Sequence, residues 1–470
     1  MVGGCYIGSI EFSYFKVKMI TDFQSKIVTV VGLGVSGYSA AKLLKSLGAQ
    51  VRITDNQINE TIRRHCERLK ELQIDEIELG RHSEKFIDGS SLLVVSPGVN
   101  KDNEIIRRAK NQNIPIISEI ELGFLICSAP IIAITGTNGK TTVCSLVYEI
   151  LKKAGKHPIL CGNIGKAFCD IANKADSDNI IVLEVSSFQL MFIERFRPKI
   201  SVILNIAPDH LDYHLNLTEY YQTKSKIFKN QKKDDFSILR KEDYEKVFSH
   251  HQIRAHLSLI STKDKGDLYI DNEEYVVARD RLVHTSGINL NGIKSLENVL
   301  FILAISMILK IDKGVVLDAI NNFKGLKHRL EVIGVYDGIK YVDDSKATNV
   351  AATRFALNNI REPVILIAGG QYKDIEVSRI NLDFLDNVKE IILMGESKKM
   401  LAEVLKKVKP VLQVDNMQDA VKIATEKAKR GDCILLSPMC ASFDMFKNYK
   451  ERGEQFAKEV TKIGRRLCSS

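Results

Sequence analysis

Gly136-Thr137-Asn138-Gly139-Lys140-Thr141-Thr142 gathers the residue types needed to hold a phosphate chain. It follows the apolar run Ile131-Ile132-Ala133-Ile134-Thr135 and leads directly into Val143-Cys144-Ser145-Leu146-Val147, so a strand, a glycine turn and a helix start are predicted in succession. The glycines let backbone N–H groups converge on an anion, and a helix N-terminus adds partial positive charge. Lys140 can reach the outer phosphates, while the Thr141 hydroxyl can ligate Mg²⁺. The spacing is tighter by one residue pair than the common G-x-x-x-x-G-K-[ST] form. Binding of a nucleoside triphosphate is the chemistry this predicts.

Other polar groups stand at predicted strand ends, the edge where open α/β sheets place their sites. Glu184 closes Ile180-Ile181-Val182-Leu183 and could share a Mg²⁺ with Thr141; by itself it could equally cap the next helix. Asp209-His210 follows the strand Ile200–Leu204, where His210 could ligate metal or meet a substrate. Lys224 is one of many lysines, and nothing in the spacing marks it.

A second glycine motif, Gly32-x-Gly34-x-x-Gly37, follows Ile27–Val31 and precedes a helical pattern and the strand Val51–Thr54. Asp55 ends that strand, about 20 residues on, as in pyrophosphate-binding βαβ units. Toward the C-terminus, Asp343-Asp344-Ser345-Lys346-Ala347-Thr348-Asn349 and Ser437-Pro438-Met439-Cys440-Ala441-Ser442 also follow predicted strands, and Glu451-Arg452-Gly453 closes the continuation of the latter loop. Ammonium and hydroxyl groups there suit a small carboxylate ligand, although each loop also reads as a helix cap.

The elements positioning these groups alternate strand and helix, which predicts α/β architecture with parallel sheets. At 470 residues the chain suits about three domains: a Rossmann-like one over 25–119, a P-loop ATPase-like one over 120–325 and a Rossmann-like one over 326–470. Residues 1–24 read as a disordered or untranslated extension, with Met19 as an alternative start. The stretch near 262–285 reads as local hairpins. The 67 basic and 58 acidic residues are interspersed, so the net charge of +9 does not argue for nucleic acid. The nine cysteines form no C-x-x-C pair and fit free thiols in a reducing cytoplasm. No run is apolar and long enough to span a bilayer.

Together these residues resemble the Mur ligase family, the ATP-dependent amino-acid-adding enzymes of peptidoglycan synthesis. Gly136–Thr142, Glu184-Val185-Ser186-Ser187-Phe188-Gln189-Leu190 and Asp209-His210 look like its central signature, and the similarity runs from about Lys26 to the C-terminus. Asp344–Asn349 and Ser437–Ser442 resemble most the member that joins D-glutamate to UDP-N-acetylmuramoyl-L-alanine. The resemblance implies that the alanyl carboxylate attacks the γ-phosphate of ATP and that the amine of D-glutamate then attacks the acyl phosphate.

The same resemblance implies residue roles. Lys140, His210, Lys224 and Lys346 would be catalytic. ATP would meet Gly136, Thr137, Asn138, Gly139, Lys140, Thr141, Thr142, Asn298, Arg329 and Asp344. Two Mg²⁺ ions would use Thr141, Glu184, His210 and Lys224, the last as a carbamate. The uridine nucleotide would meet Val35, Ser36, Asp55, Asn56 and Ser96, with Asn163 at the muramoyl portion. D-Glutamate would meet Lys346, Thr348, Ser442 and Tyr449, with His328 nearby. Gln57, Tyr449 and Lys294-Ser295 depart from the family's usual Arg, Phe and His-Asn. The expected protein is a cytoplasmic bacterial monomer that closes around its substrates and neither binds nucleic acid nor inserts in membrane. A nicotinamide-dependent oxidoreductase would explain only the first glycine motif. A nucleic-acid-linked ATPase and a folylpolyglutamate-type or other muramyl-peptide ligase are the further rivals.

Overall fold

The computed structural model describes residues 22–207, 216–272, 274–277, 280–288, 295–371 and 382–468. Two compact units divide the chain: Met1–Asn289 with Ser295–Asn322, and Leu290–Lys294 with Phe323–Ser470.

The first unit opens with β1 (Ile27–Val31), β2 (Gln50–Asp55), β3 (Ile77–Leu79), β4 (Leu92–Val95) and β5 (Ile116–Ser118). They pair in parallel in the order β3-β2-β1-β4-β5. β1 and β4 are nearly continuous apolar runs because helices cover both faces of a parallel sheet. The strand order reverses beside β1, so the glycine turn entering helix α1 (Val35–Ser46) lies at a topological switch point.

A second sheet in this unit holds β6 (Ile131–Thr135), β7 (His157–Gly162), β8 (Asn179–Glu184), β9 (Ile200–Ile203), β10 (Phe236–Arg240), β11 (His256–Ser261), β12 (Leu268–Asp271), β13 (Glu274–Val277) and β14 (Asp280–His284). Their order is β14-β13-β12-β11-β10-β9-β6-β8-β7. β12, β13 and β14 are antiparallel, the hairpins expected near 262–285. β6 runs between β8 and β9, so the turn after β6 is flanked by the carboxyl ends of both neighbours. Four helices matter to the site: α2 (Glu119–Ile126), α3 (Lys140–Lys153), α4 (Leu217–Ser225) and α5 (Leu296–Ile308). α5 is buried from Asn298 to Ser306 and capped by the Ser295 hydroxyl, which accepts from Asn298 N–H.

Val30 and Ile53 of the first sheet and Ala133 and Leu183 of the second belong to one continuous apolar cluster. Phe23 is 3% exposed and joins it. The packed chain therefore reaches back into the stretch expected to be an extension; residues 1–21 lie outside the description.

The second unit contains β15 (Glu331–Tyr336), β16 (Ile339–Asp343), β17 (Val364–Gly369), β18 (Val388–Met394), β19 (Val411–Gln413) and β20 (Cys433–Leu436), in the order β15-β16-β20-β17-β18-β19. β15 is antiparallel to β16, and the remaining pairings are parallel. Leu366 and Leu435 face one apolar cluster while Ile367 and Ile434 face another, the period-two alternation of a sheet covered on both sides. β15 has no apolar run to announce it. It is a sheet edge whose Val332 and Val335 are exposed. Helices α6 (Val350–Asn358) and α7 (Tyr449–Cys468) complete the parts used below.

Candidate nucleotide and amino-acid sites

Gly136 and Gly139 adopt φ of +154° and +83°, a conformation that L side chains rarely take. A Cβ on Gly139 would lie 2.7 Å from Asn298 Oδ1, so the buried Asn298 at the start of α5 packs directly on the phosphate turn. The turn is held open from the β9 side. Asn205 accepts Thr137 N–H on its backbone oxygen at 2.9 Å and Asn138 N–H on Oδ1 at 2.8 Å. Its Nδ2 donates back to Asn138 O at 3.2 Å. Asn205 was not among the candidate residues; its place at the end of a strand beside β6 was the available signal.

Lys140 begins α3 and donates from Nζ to Gly136 O at 2.7 Å and Thr137 O at 3.0 Å. Thr141 and Thr142 occupy the same first helical turn, half-buried. Lys224, on α4, is 2% exposed and aims at the same place: Nζ donates to Gly136 O at 3.2 Å and Thr135 Oγ1 at 3.4 Å, over the Tyr220 ring. The Tyr220 hydroxyl meets Thr137 Oγ1 at 3.2 Å, tying α4 to the turn. Spacing alone gave no reason to single out Lys224; α4 supplies it.

Glu184 closes β8 in register with Ile134 of β6 and Gly162 of β7. Oε1 accepts from Asn163 Nδ2 at 2.9 Å, whereas Oε2 is buried without a hydrogen-bond partner. An isolated buried carboxylate oxygen is costly. Beside a phosphate turn, such a hard oxygen donor fits Mg²⁺. His210 and Asp209 lie outside the described residues.

At the first glycine motif, Gly32 has φ of +88°, and a Cβ on Gly37 would fall 1.8 Å from Gly32 O. The close approach of α1 to the strand end therefore requires glycine. Asp55 is buried and committed to the backbone: Oδ2 accepts Leu33 N–H at 2.6 Å and Oδ1 accepts Gln57 N–H at 2.7 Å. Ser96 donates to Gly32 O at 2.7 Å. Asp55 and Ser96 thus shape the turn, while Val35 and Asn56 are exposed and Ser36 half-buried beside it. Asn163 is held elsewhere, on Glu184, by its side chain and through Asn163 N–H to Glu184 O at 2.8 Å.

In the second unit the loops after β16 and β20 interlock. Asp344 Oδ2 accepts from Ser437 Oγ at 2.8 Å and Oδ1 from Leu330 N–H at 3.3 Å. Burial pushes this carboxyl up to about 7, and its oxygens are taken by the protein's own groups. Asp343 Oδ2 bonds His328 Nδ1 at 2.8 Å, fixing the imidazole next to Arg329. Lys346 Nζ sits 4.1 Å from the centre of the Tyr449 ring, a cation–π contact, and His328 meets that ring edge-on. Thr348 is half-buried and Ser442 buried. The candidate amino-acid residues Lys346, Thr348, Ser442 and Tyr449 thus all belong to two interlocked loops and the helix start of this unit.

Comparisons with known proteins agree over most of the chain. Residues 26–118 match the family described as Mur ligase MurD-like, N-terminal domain. Residues 134–306 match the Mur ligase middle domain, and 328–440 the Mur ligase, glutamate ligase domain. The chain is 38% identical over 452 residues to the UDP-N-acetylmuramoylalanine--D-glutamate ligase of Geobacillus sp. (strain WCH70), covering 95% of this chain and 100% of that protein. It is 37% identical to the like-named protein of Caldanaerobacter subterraneus subsp. tengcongensis, covering 94% and 100%. Among solved structures, MurF ligase from Thermotoga maritima in complex with ADP matches with TM-score 0.56 at 17% identity, covering 94% of this chain and 97% of that one. UDP-N-acetylmuramate-alanine ligase MurC from the same organism gives 0.55 at 20%, covering 93% and 99%.

Proposed function

The chain belongs to the Mur ligase family, a group of ATP-dependent amide-bond-forming enzymes of peptidoglycan synthesis, and from that premise we propose that it joins D-glutamate to UDP-N-acetylmuramoyl-L-alanine. The observation that carries the reading is the phosphate turn at Gly136–Lys140, bracketed by the Lys224 ammonium and the unpartnered oxygen of Glu184. The relatives named for this reaction align over their full length with 94–95% of this chain.

In this reading the alanyl carboxylate attacks the γ-phosphorus of ATP, ADP leaves, and an acyl phosphate remains. The D-glutamate amine attacks the acyl carbon, loses a proton, and the tetrahedral adduct expels phosphate to leave the amide. Lys140 exchanges its two carbonyl acceptors for phosphate oxygens and offsets charge on the transferring group. Thr141 and Glu184 would hold one Mg²⁺. Lys224, as a carbamate, would hold a second with His210. Bound divalent ions neutralise the repulsion between two anionic reactants. Val35, Ser36, Asn56 and Asn163 would face the uridine substrate, with Asp55 and Ser96 shaping its turn. Asn298, Arg329 and Asp344 would flank the nucleotide, and Lys346, Thr348, Ser442 and Tyr449 would take D-glutamate.

We assign the three working domains to 25–119, 120–325 and 326–470, and the enzyme to the bacterial cytoplasm as a monomer. Among the described residues no helix is long and apolar enough to cross a membrane.

Phosphate release from Mg-ATP tests the reading, with UDP-N-acetylmuramoyl-L-alanine present and with D-glutamate, L-glutamate or neither. Release needing both the nucleotide sugar and the D-isomer is expected. Release with another amino acid or a pteroate acceptor would move the chain elsewhere among related ligases, and release independent of any acceptor would overturn the assignment.

A further inference from the structure

Among the described residues Arg452 is the largest side chain with almost no exposure, at 1%. It stands in the first turn of α7, one turn after Tyr449. Among the described residues no carboxylate reaches ion-pairing distance of its guanidinium. Three backbone carbonyls take its protons instead: Ser345 O at 2.9 Å, Cys440 O at 3.0 Å and Ala441 O at 3.3 Å. Nε is buried with no partner.

A cation costs much to bury and is ordinarily repaid by an anion. Here the acceptors are the carbonyl immediately before Lys346 and the two carbonyls that precede Ser442. One rigid fork therefore spans the two loops that carry the candidate amino-acid contacts, and its five donors lie in fixed geometry. The helix start is docked as tightly: a Cβ on Gly453 would fall 2.3 Å from His328 Nδ1, 2.4 Å from Asp343 Oδ2 and 2.5 Å from Ser345 Oγ. Tyr449, on the same face of the turn, supports the Lys346 ammonium.

We propose that Arg452 is a positioning residue for the amino-acid substrate: it sets the separation of the Lys346–Thr348 loop from the Ser442 loop, and through them the affinity for D-glutamate. This rests on the reading of those loops as the D-glutamate site. A lysine at this position supplies charge and up to three donors without the planar fork, whereas methionine fills the space and leaves the Ser345 and Cys440 carbonyls without that donor, Ala441 O keeping Gln371 N–H at 2.9 Å.

The test measures KM for each of the three substrates and kcat in wild type, Arg452→Met and Arg452→Lys, with thermal melts of each. The wild type must first require D-glutamate; if it does not, the functional reading fails, whatever the variants do. With that established, Arg452→Met should raise KM for D-glutamate roughly 10- to 100-fold, the scale of leaving buried acceptors unmade. KM for ATP and for the nucleotide sugar should stay within about twofold, and Arg452→Lys should recover part of the loss. An unchanged KM for D-glutamate, or an equal loss for all three substrates, overturns the proposal. Should Arg452→Met fail to fold, Arg452→Lys decides by the same split: a rise confined to D-glutamate supports it, and no rise or a shared rise rejects it.

Discussion

The ammonium groups of Lys140 and Lys224 converge on one atom: Gly136 O accepts Lys140 Nζ at 2.7 Å and Lys224 Nζ at 3.2 Å. One lysine comes from the turn itself and the other from a helix more than eighty residues later. Lys224 is buried where water screens little. Carbamylation of Lys224 would place an anion beside Lys140.

Wild-type protein equilibrated with carbon-13 bicarbonate should give a carbamate carbon resonance that is missing in Lys224→Arg. The variant should lose roughly 100- to 1,000-fold in turnover, the range for removing one electrostatic group from a site. A wild-type spectrum without the resonance would remove the carbamate from the mechanism.

Glu184→Gln separates metal binding from folding. The amide oxygen can still accept from Asn163, so the local contact survives. Loss of the charge should raise the Mg²⁺ concentration needed for half-maximal activity at least about tenfold, on the scale of altered metal shells. Unfolding free energy should change by no more than about 1 kcal/mol, because a buried charge is removed while the Asn163 contact is kept. A collapse in stability with unchanged Mg²⁺ dependence would make Glu184 a structural acid.

Gly139→Ala addresses the turn. At φ of +83°, with Asn298 Oδ1 2.7 Å from the added carbon, the variant must distort the backbone or push Asn298 aside. Strain of this kind costs about 1–3 kcal/mol. The thermal stabilisation given by Mg-ATP should shrink or vanish while that given by the UDP-sugar persists. Equal ligand shifts in variant and wild type would count against the nucleotide site.

Glu119 makes stability depend on pH. Burial pushes its carboxyl from 4.5 up to about 7; Oε1 accepts Cys169 N–H at 2.7 Å, and Oε2 has no partner. A raised carboxyl pKa means that the native state holds a proton which the unfolded chain has already released. Its contribution is present in full below the unfolded pKa and is lost between about 4.5 and 7 as pH rises. Glu119→Gln cannot ionise, so its stability relative to wild type should increase across that window, by up to about 3 kcal/mol. Denaturant melts at pH 5 and pH 8 would measure it, and a difference independent of pH would refute the buried-acid reading.

The local machinery was legible in the residue order. Strand, glycine turn, Lys140 and helix start all fall within one short segment, and turn geometry and helix-end charge need no distant partner. The same holds for Gly32–Gly37 and for the hairpins before residue 285. Long apolar runs such as those of β6, β17 and β20 were legible because strands buried on both faces leave no alternation to confuse. β15 was not legible, being an exposed edge with a mixed pattern. Tertiary structure alone decided which distant groups meet those turns. β6 lies between β8 and β9, which brings Glu184 and Asn205 to its end, the latter 67 residues from Asn138. It also decided that Asp55 braces a backbone turn with both oxygens, and that Arg452 reaches Ser345 across 107 residues. Spacing encodes what the backbone can do over a few residues, whereas partners at such separations are set by strand order and helix docking, which only the packed chain fixes.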